Sequence, residues 1–106
     1  MKRDNALDLG RFTEPALLIL VSLADGPKHG YAMIEDIREL AGASLGAGTL
    51  YGALARLERL GHIEALASHD RRVPYRLTTN GRTLLEEQLE GLRRFTSTGI
   101  RRLARA

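Results

Sequence analysis

Between Gly61 and Thr78 the apolar residues change from the spacing of a helix to that of a strand and back, an order few folds accommodate. Before Gly61, Leu50, Leu54, Leu57 and Leu60 recur at intervals of four, three and three, which predicts one narrow buried stripe on a helix. After it, Ile63, Ala65 and Ala67 alternate with Glu64 and Leu66, and Tyr75 and Leu77 alternate with Arg76 and Thr78, as in strands. The polar run Ser68 to Pro74 between them reads as a hairpin tip, with Pro74 at a strand start or edge because it has no amide donor. Thr78 then caps a long helix reaching towards Ala106, with Leu85, Leu89 and Leu92 along one side.

Two further helices precede this unit. Thr13, Glu14 and Pro15 form a start signal, with a Thr cap and a proline where no amide bond is lost. The segment Ala16 to Ala24 is apolar on nearly every side, so it must be buried all round, more easily if a second subunit covers one side. Asp25-Gly26-Pro27 ends it. A second helix is expected over Gly30 to Ala41, with Tyr31, Ile34, Ile37 and Leu40 as its apolar stripe and Gly42 as its stop. The stretch Gly42 to Gly48 holds three glycines and turns the chain into the third helix, whose Thr49, Ala53, Arg56 and Tyr51 lie off the leucine stripe.

Helix, helix, helix, hairpin, helix is the order of a winged helix-turn-helix: mainly α with a small β-hairpin, α-α-α-β-β-α, whose third helix enters the major groove of DNA. One domain is expected over 1–106, with a DNA-binding winged helix over 13–78 and a C-terminal dimerisation helix over 79–106.

The composition narrows the chemistry. With 106 residues, 43% of them hydrophobic, the chain has the makings of one core. It has no cysteine, so neither disulfide nor thiolate metal site is available, and its three histidines lack metal-ligand spacing. The N-terminus carries no signal-peptide run and the longest apolar stretch is too short to span a bilayer, so a soluble, cytoplasmic protein with no membrane partner is expected. No nucleophile-base or paired-carboxylate arrangement points to an enzyme, and no cofactor motif survives: Tyr51 stands where the third glycine of a dinucleotide fingerprint would be. With no tryptophan and 5% aromatics, a large stacking pocket is not evident. The net charge of +3 is unevenly spread, with Arg71, Arg72 and Arg76 in one group and Arg93, Arg94, Arg101, Arg102 and Arg105 in another.

Three motifs carry a resemblance to the PadR family of transcriptional regulators. The run from Gly48-Thr49-Leu50-Tyr51 to Gly61-His62-Ile63 resembles its recognition-helix signature. His29-Gly30-Tyr31 is similar to its opening of the second helix, and Tyr75-Arg76-Leu77-Thr78-Thr79-Asn80-Gly81 to its end-of-wing motif. The similarity covers roughly Thr13 to Leu92 and is to the shorter form, with a single final helix. It implies a dimeric repressor of an inverted-repeat operator in double-stranded DNA, often relieved by a small molecule bound near the dimer interface. A winged-helix adaptor that has lost DNA binding is the alternative, because fold alone does not assign function.

Within that frame the DNA-contacting candidates are Thr49, Tyr51, Arg56, Arg71 and Arg72. Each has a plainer role: Thr49 as a helix cap, Tyr51 packed on the second helix, and the arginines as solvated charge. Arginine at the wing tip suits a narrow minor groove. The C-terminal arginines fit a role in solubility better than DNA contact. Leu85, Leu89, Leu92, Thr96, Gly99 and Leu103 follow a four-three-four-three-four spacing, the seam of a helix that pairs with a second copy. The competing reading folds that stripe back on its own domain, with Gly99 as a helix break.

Overall fold

A computed structural model describes residues 14–42 and 44–106. The chain runs through α1 (Pro15–Ser22), a 3-10 turn (Leu23–Asp25), β1 (Lys28–His29), α2 (Gly30–Ala41), α3 (Ala47–Arg59), β2 (Ile63–Ala65), β3 (Pro74–Leu77) and α4 (Thr79–Arg105). The expected helices and hairpin are present, and the sheet gains a third strand. Its order is β1-β3-β2, with both pairings antiparallel. Pro74 is the first residue of the central strand, opposite His29, and its carbonyl accepts from the Leu66 amide at 2.8 Å on the other side. A residue with no N–H fits there because the ladder asks it only to accept.

α1 is the centre of the core. Leu18, Ile19, Leu20 and Leu23 pack with Met33 and Ile37 of α2, with Leu50, Ala53, Leu54 and Leu57 of α3, and with Ile63 and Leu85. The Thr13 cap lies outside the described residues. Glu14 holds the N-cap position without a side-chain bond, and Pro15 is the first helical residue. Ser22 is the buried polar residue of this core, and its hydroxyl donates to the Asp36 carboxylate at 2.6 Å. Lys28 fastens the same corner, donating to the Ser22 carbonyl and pairing with Asp25 at 2.6 Å. That hydrogen bond holds the Asp25 carboxyl below its usual range.

Three side chains sit on other faces than their periodicity suggests. On α2 the buried line is Gly30, Met33 and Ile37, while Tyr31 and Leu40 are mostly exposed. On α3 Ala53 is buried with Leu50, Leu54 and Leu57, and Leu60, at the C-cap, is outside. The reason is common to both helices: contact with α1 covers one edge of a broad apolar arc and leaves the other open. Leu17 and Val21 of α1 remain half-buried, so within this chain the first helix is not enclosed on every side.

A compact junction joins α3, the sheet and α4. Gly61 turns the chain out of α3 with φ +84°, a left-handed value that favours glycine. The Thr78 hydroxyl donates to the Gly61 carbonyl at 2.6 Å and accepts from the Gly81 amide at 3.0 Å, and the Thr78 amide donates to the His62 carbonyl at 3.1 Å. Gly81 is buried against that carbonyl, and a Cβ there would overlap its oxygen and lie 2.9 Å from its carbon.

The turn at the tip of the hairpin is self-contained. The Asp70 carboxylate accepts from the Arg72 amide at 2.9 Å and from the Ser68 hydroxyl at 3.1 Å, while that hydroxyl also reaches the Arg72 carbonyl at 2.9 Å. The Arg72 amide bond, then the Ser68 bond, hold the Asp70 carboxyl below its ordinary value.

Gly81→Ala should destabilise the fold by about 2 kcal/mol, because the carbonyl it would strike is already tied to Thr78 and has little room to move. Gly91→Ala, in the same helix with nothing within 4 Å, should instead stabilise by up to about 1 kcal/mol. Urea denaturation distinguishes the two; equal effects would show that the junction yields to an extra methyl.

A lowered carboxyl value in the folded state stabilises the hairpin turn fully above the ordinary aspartate value and is lost as pH falls through the lowered one. Carbon-detected NMR should find Asp70 titrating below about 3.9, with the Arg72 amide resonance following the same curve. A midpoint at or above that value would mean that the turn does not hold the charge.

Candidate nucleic-acid interface

α3 begins at Ala47 with Gly46 as its N-cap, which places Thr49 third in the helix and exposed rather than capping it. Leu50, Ala53, Leu54 and Leu57 turn inwards, so Gly48, Thr49, Gly52, Ala55 and Arg56 turn out. Gly48 and Gly52 have nothing within 4 Å of where a Cβ would lie, and Ala55 has only a methyl. The outer face of α3 is therefore low, and its backbone can come close to a neighbouring surface. Thr49 and Arg56 line a depression of about 280 Å³ with Glu14 and Pro15. The Arg56 guanidinium is 3.9 Å from the Glu14 carboxylate, and both side chains are more than half exposed. Such a loose surface pair is worth little and leaves the cation available.

Tyr51 packs on the second helix and remains partly exposed. Its ring lies over Gly30 of α2, with Cζ 2.7 Å from the position a Cβ would take, so any larger residue at 30 would force the ring to shift. The residue is nevertheless 50% exposed. It lines a second depression, about 330 Å³ in volume, with His29, Gly30, Tyr31, Arg71, Arg72, Val73 and Tyr75. The structure thus unites Tyr51 with Arg71 and Arg72, whereas Thr49 and Arg56 line a separate hollow against Glu14 and Pro15.

The arginines divide by their partners. Arg76 is bound across the strands to Glu64 at 2.7 Å, Arg38 to Glu35 at 3.0 Å, and Arg93 and Arg94 to Glu90 at 2.7 and 3.5 Å. Arg93 in particular lowers the Glu90 carboxyl. Arg71 and Arg72 make no ion pair among the described residues, and Asp70 between them and Ser68 is turned to the backbone.

Periodicity missed His29, Tyr31 and Tyr75 as neighbours of the wing arginines. His29 caps α2, its Nδ1 accepting from the Ala32 amide at 3.3 Å, so the ring proton belongs on Nε2. Tyr75 is half-buried, and burial, with a smaller contribution from Glu58, pushes its phenol up. The available signal was Gly30 inside an otherwise good helix start, a place for another residue to approach closely.

α4 continues past Gly99 to Arg105 without a break. Of the proposed seam, Leu85 is taken up by the core of its own chain. Leu89 and Leu92 line a groove of about 300 Å³ with Leu17, Leu18, Val21, Leu40 and Ala41. Thr96, Gly99 and Leu103 are exposed, and so are Phe95 and Ile100 beside them. Among the described residues there is no group of three potential metal ligands, and no helix is long and apolar enough to cross a membrane.

Comparison with known proteins agrees with this geometry. A PadR family transcription regulator from hypervirulent Clostridium difficile superposes with a TM-score of 0.73 at 28% identity, over 79% of this chain and 92% of the other. A transcriptional regulator from Clostridium thermocellum does so with a TM-score of 0.69 at 30% identity, over 78% of this chain and 86% of the other. A 37.1 kDa protein in transposon TN4556 of Streptomyces fradiae is 43% identical over 86 residues, 81% of this chain, which spans only 25% of that protein's length. Residues 19–87 match the sequence pattern of the transcriptional regulator PadR-like family. This match takes in α2, α3, both strands of the wing and the start of α4, and on it the chain belongs to the PadR-like family of transcriptional regulators.

Proposed function

We propose that this regulator binds double-stranded DNA as a homodimer in the cytoplasm and represses transcription from an operator with an inverted repeat. The observation that carries the reading is that Tyr51 of α3 and Arg71 and Arg72 of the wing line one surface. A helix with a low outer face can enter a major groove, and a wing tip bearing two arginines can follow the backbone or the adjacent minor groove. In this reading Thr49 meets base edges, Arg56 a phosphate or guanine, and Arg71 and Arg72 the phosphates or the minor groove. The winged helix over 13–78 does the reading, and the helix over 79–106 brings two copies together.

The apolar face of α4 supports the dimer. Leu103 and Phe95 are almost fully exposed and Leu89 and Ile100 about half, beside the groove that α1 leaves open. Covering each large side chain removes about 1.5–3 kcal/mol of unfavourable hydration. The small Thr96 and Gly99 at the middle of the seam let a second helix approach closely. A small-molecule effector that loosens DNA binding from this interface completes the reading.

Purified protein should bind its own upstream DNA with an affinity that falls steeply with salt, at a log–log slope of about −0.9 per phosphate contact. Protection should cover half-sites about one helical turn apart. Arg71→Ala with Arg72→Ala should weaken all sequences and flatten the slope by about one unit per lost contact, whereas Thr49→Ala should change the preference among operator variants. Failure of every fragment to bind below micromolar at low salt would leave the adaptor reading in its place.

Removing the residues after Leu92 keeps every buried core residue, the last of which is Leu85. The shortened chain should stay folded but run as a monomer in light scattering. A folded dimer of the shortened chain would move the interface elsewhere.

A further inference from the structure

The chain has three tyrosines, and all three line the single depression that also holds Arg71 and Arg72. They come from three different elements: Tyr31 from α2, Tyr51 from α3 and Tyr75 from β3. Tyr75 packs against the core, but core packing does not explain Tyr31, 59% exposed, or Tyr51, 50% exposed. Partly exposed tyrosines beside guanidinium groups that make no ion pair among the described residues match a ligand with a flat ring and an anionic group. The hydroxyls of the tyrosines and the imidazole of His29 add hydrogen-bonding groups around the rim.

The geometry points to a binding site for a free nucleoside monophosphate in this depression, its base against the tyrosine rings and its phosphate on Arg71 and Arg72. A volume of about 330 Å³ is at the small end of ligand sites and suits one nucleotide rather than two. Two acids lie nearby, Asp70, held as a carboxylate by the Arg72 amide, and Glu58, whose charge reaches Tyr75, so the phosphate depends on the two guanidinium groups to outweigh them. Base–aromatic stacking tolerates any base, so the site selects for a ring joined to a phosphate more than for a particular base. Because the ligand uses the wing arginines, it competes directly with DNA. That consequence rests on the proposed DNA-binding function; the site itself does not.

The test is titration of the full chain, without DNA, by AMP, GMP and dTMP, following the tyrosine ring resonances by NMR. Adenosine and inorganic phosphate serve as half-ligands. The expected result is saturable shifts of all three tyrosines with the nucleotides, at least tenfold weaker with either half-ligand. Arg71→Ala with Arg72→Ala should weaken binding tenfold or more, and Tyr31→Ala fivefold or more, with thermal stability unchanged because all three side chains are on the surface. Equal binding of phosphate alone, equal binding of adenosine alone, or no saturable shift would each overturn the proposal. Tyrosine shifts that appear with duplex DNA but with no mononucleotide would also overturn it, assigning the depression to the DNA backbone. Where DNA binding is observed, nucleotide at ten times its Kd should raise the apparent Kd for DNA about tenfold. Unchanged DNA affinity at that concentration would overturn the competition while leaving the titration to judge the site.

Discussion

The hydroxyl of Thr78 is the connection on which the rest of the molecule depends. It donates to the last turn after α3 and accepts from the first turn of α4, while its own amide holds His62. Three elements meet there at hydrogen-bonding distance: the helix that presents Thr49 and Arg56, the strand returning from the wing, and the helix that carries the exposed apolar face. The absence of a side chain at Gly81 lets them meet so closely. Besides this contact, the burial of Ile63 from β2 and Leu85 from α4 in the common core holds the wing and α4 to α3.

The second constraint is α1, an apolar rod around which α2 and α3 are arranged. The side-chain ridges of α1 set how α2 and α3 pack on it, and Ser22 and Lys28 add a polar fix at one end. Their bonds to Asp36 and Asp25 pin one end of α1 to α2 and to the turn before β1. Hydrophobic burial supplies most of the stability here, and the two polar residues add to it at that end.

How far the sequence is legible follows from how local each determinant is. The stops at Gly42 and Gly61, the Thr78 cap and the strand start at Pro74 are decisions of single residues, and each was readable. β1 was not, because Lys28 and His29 show no alternation and become a strand only by pairing with Pro74 and Tyr75, over forty residues away. The α2 stripe was half readable: Ile37 belongs to either edge of the apolar arc, but the choice of Met33 over Tyr31 and Leu40 is made by α1. Of the interface, the wing arginines were visible as charge at a turn. Tyr51 was visible too, but Tyr31 and Tyr75 were not, since each lies in a different element and looks like ordinary packing in its own segment.

α4 is unbroken for 27 residues, about 40 Å, and its first turn is fixed to α3 and the wing. It therefore behaves as a lever with its fulcrum at Thr78. A rotation of about 5° at the fulcrum carries the far end through about 3.5 Å, since the displacement grows with helix length. In a pair of chains held together along this helix, the same geometry works in reverse: a shift of a few ångströms where the helices touch becomes a small turn of each α3. Were two chains to pair along α4, the spacing of their α3 helices would be set at the end of the molecule furthest from α3.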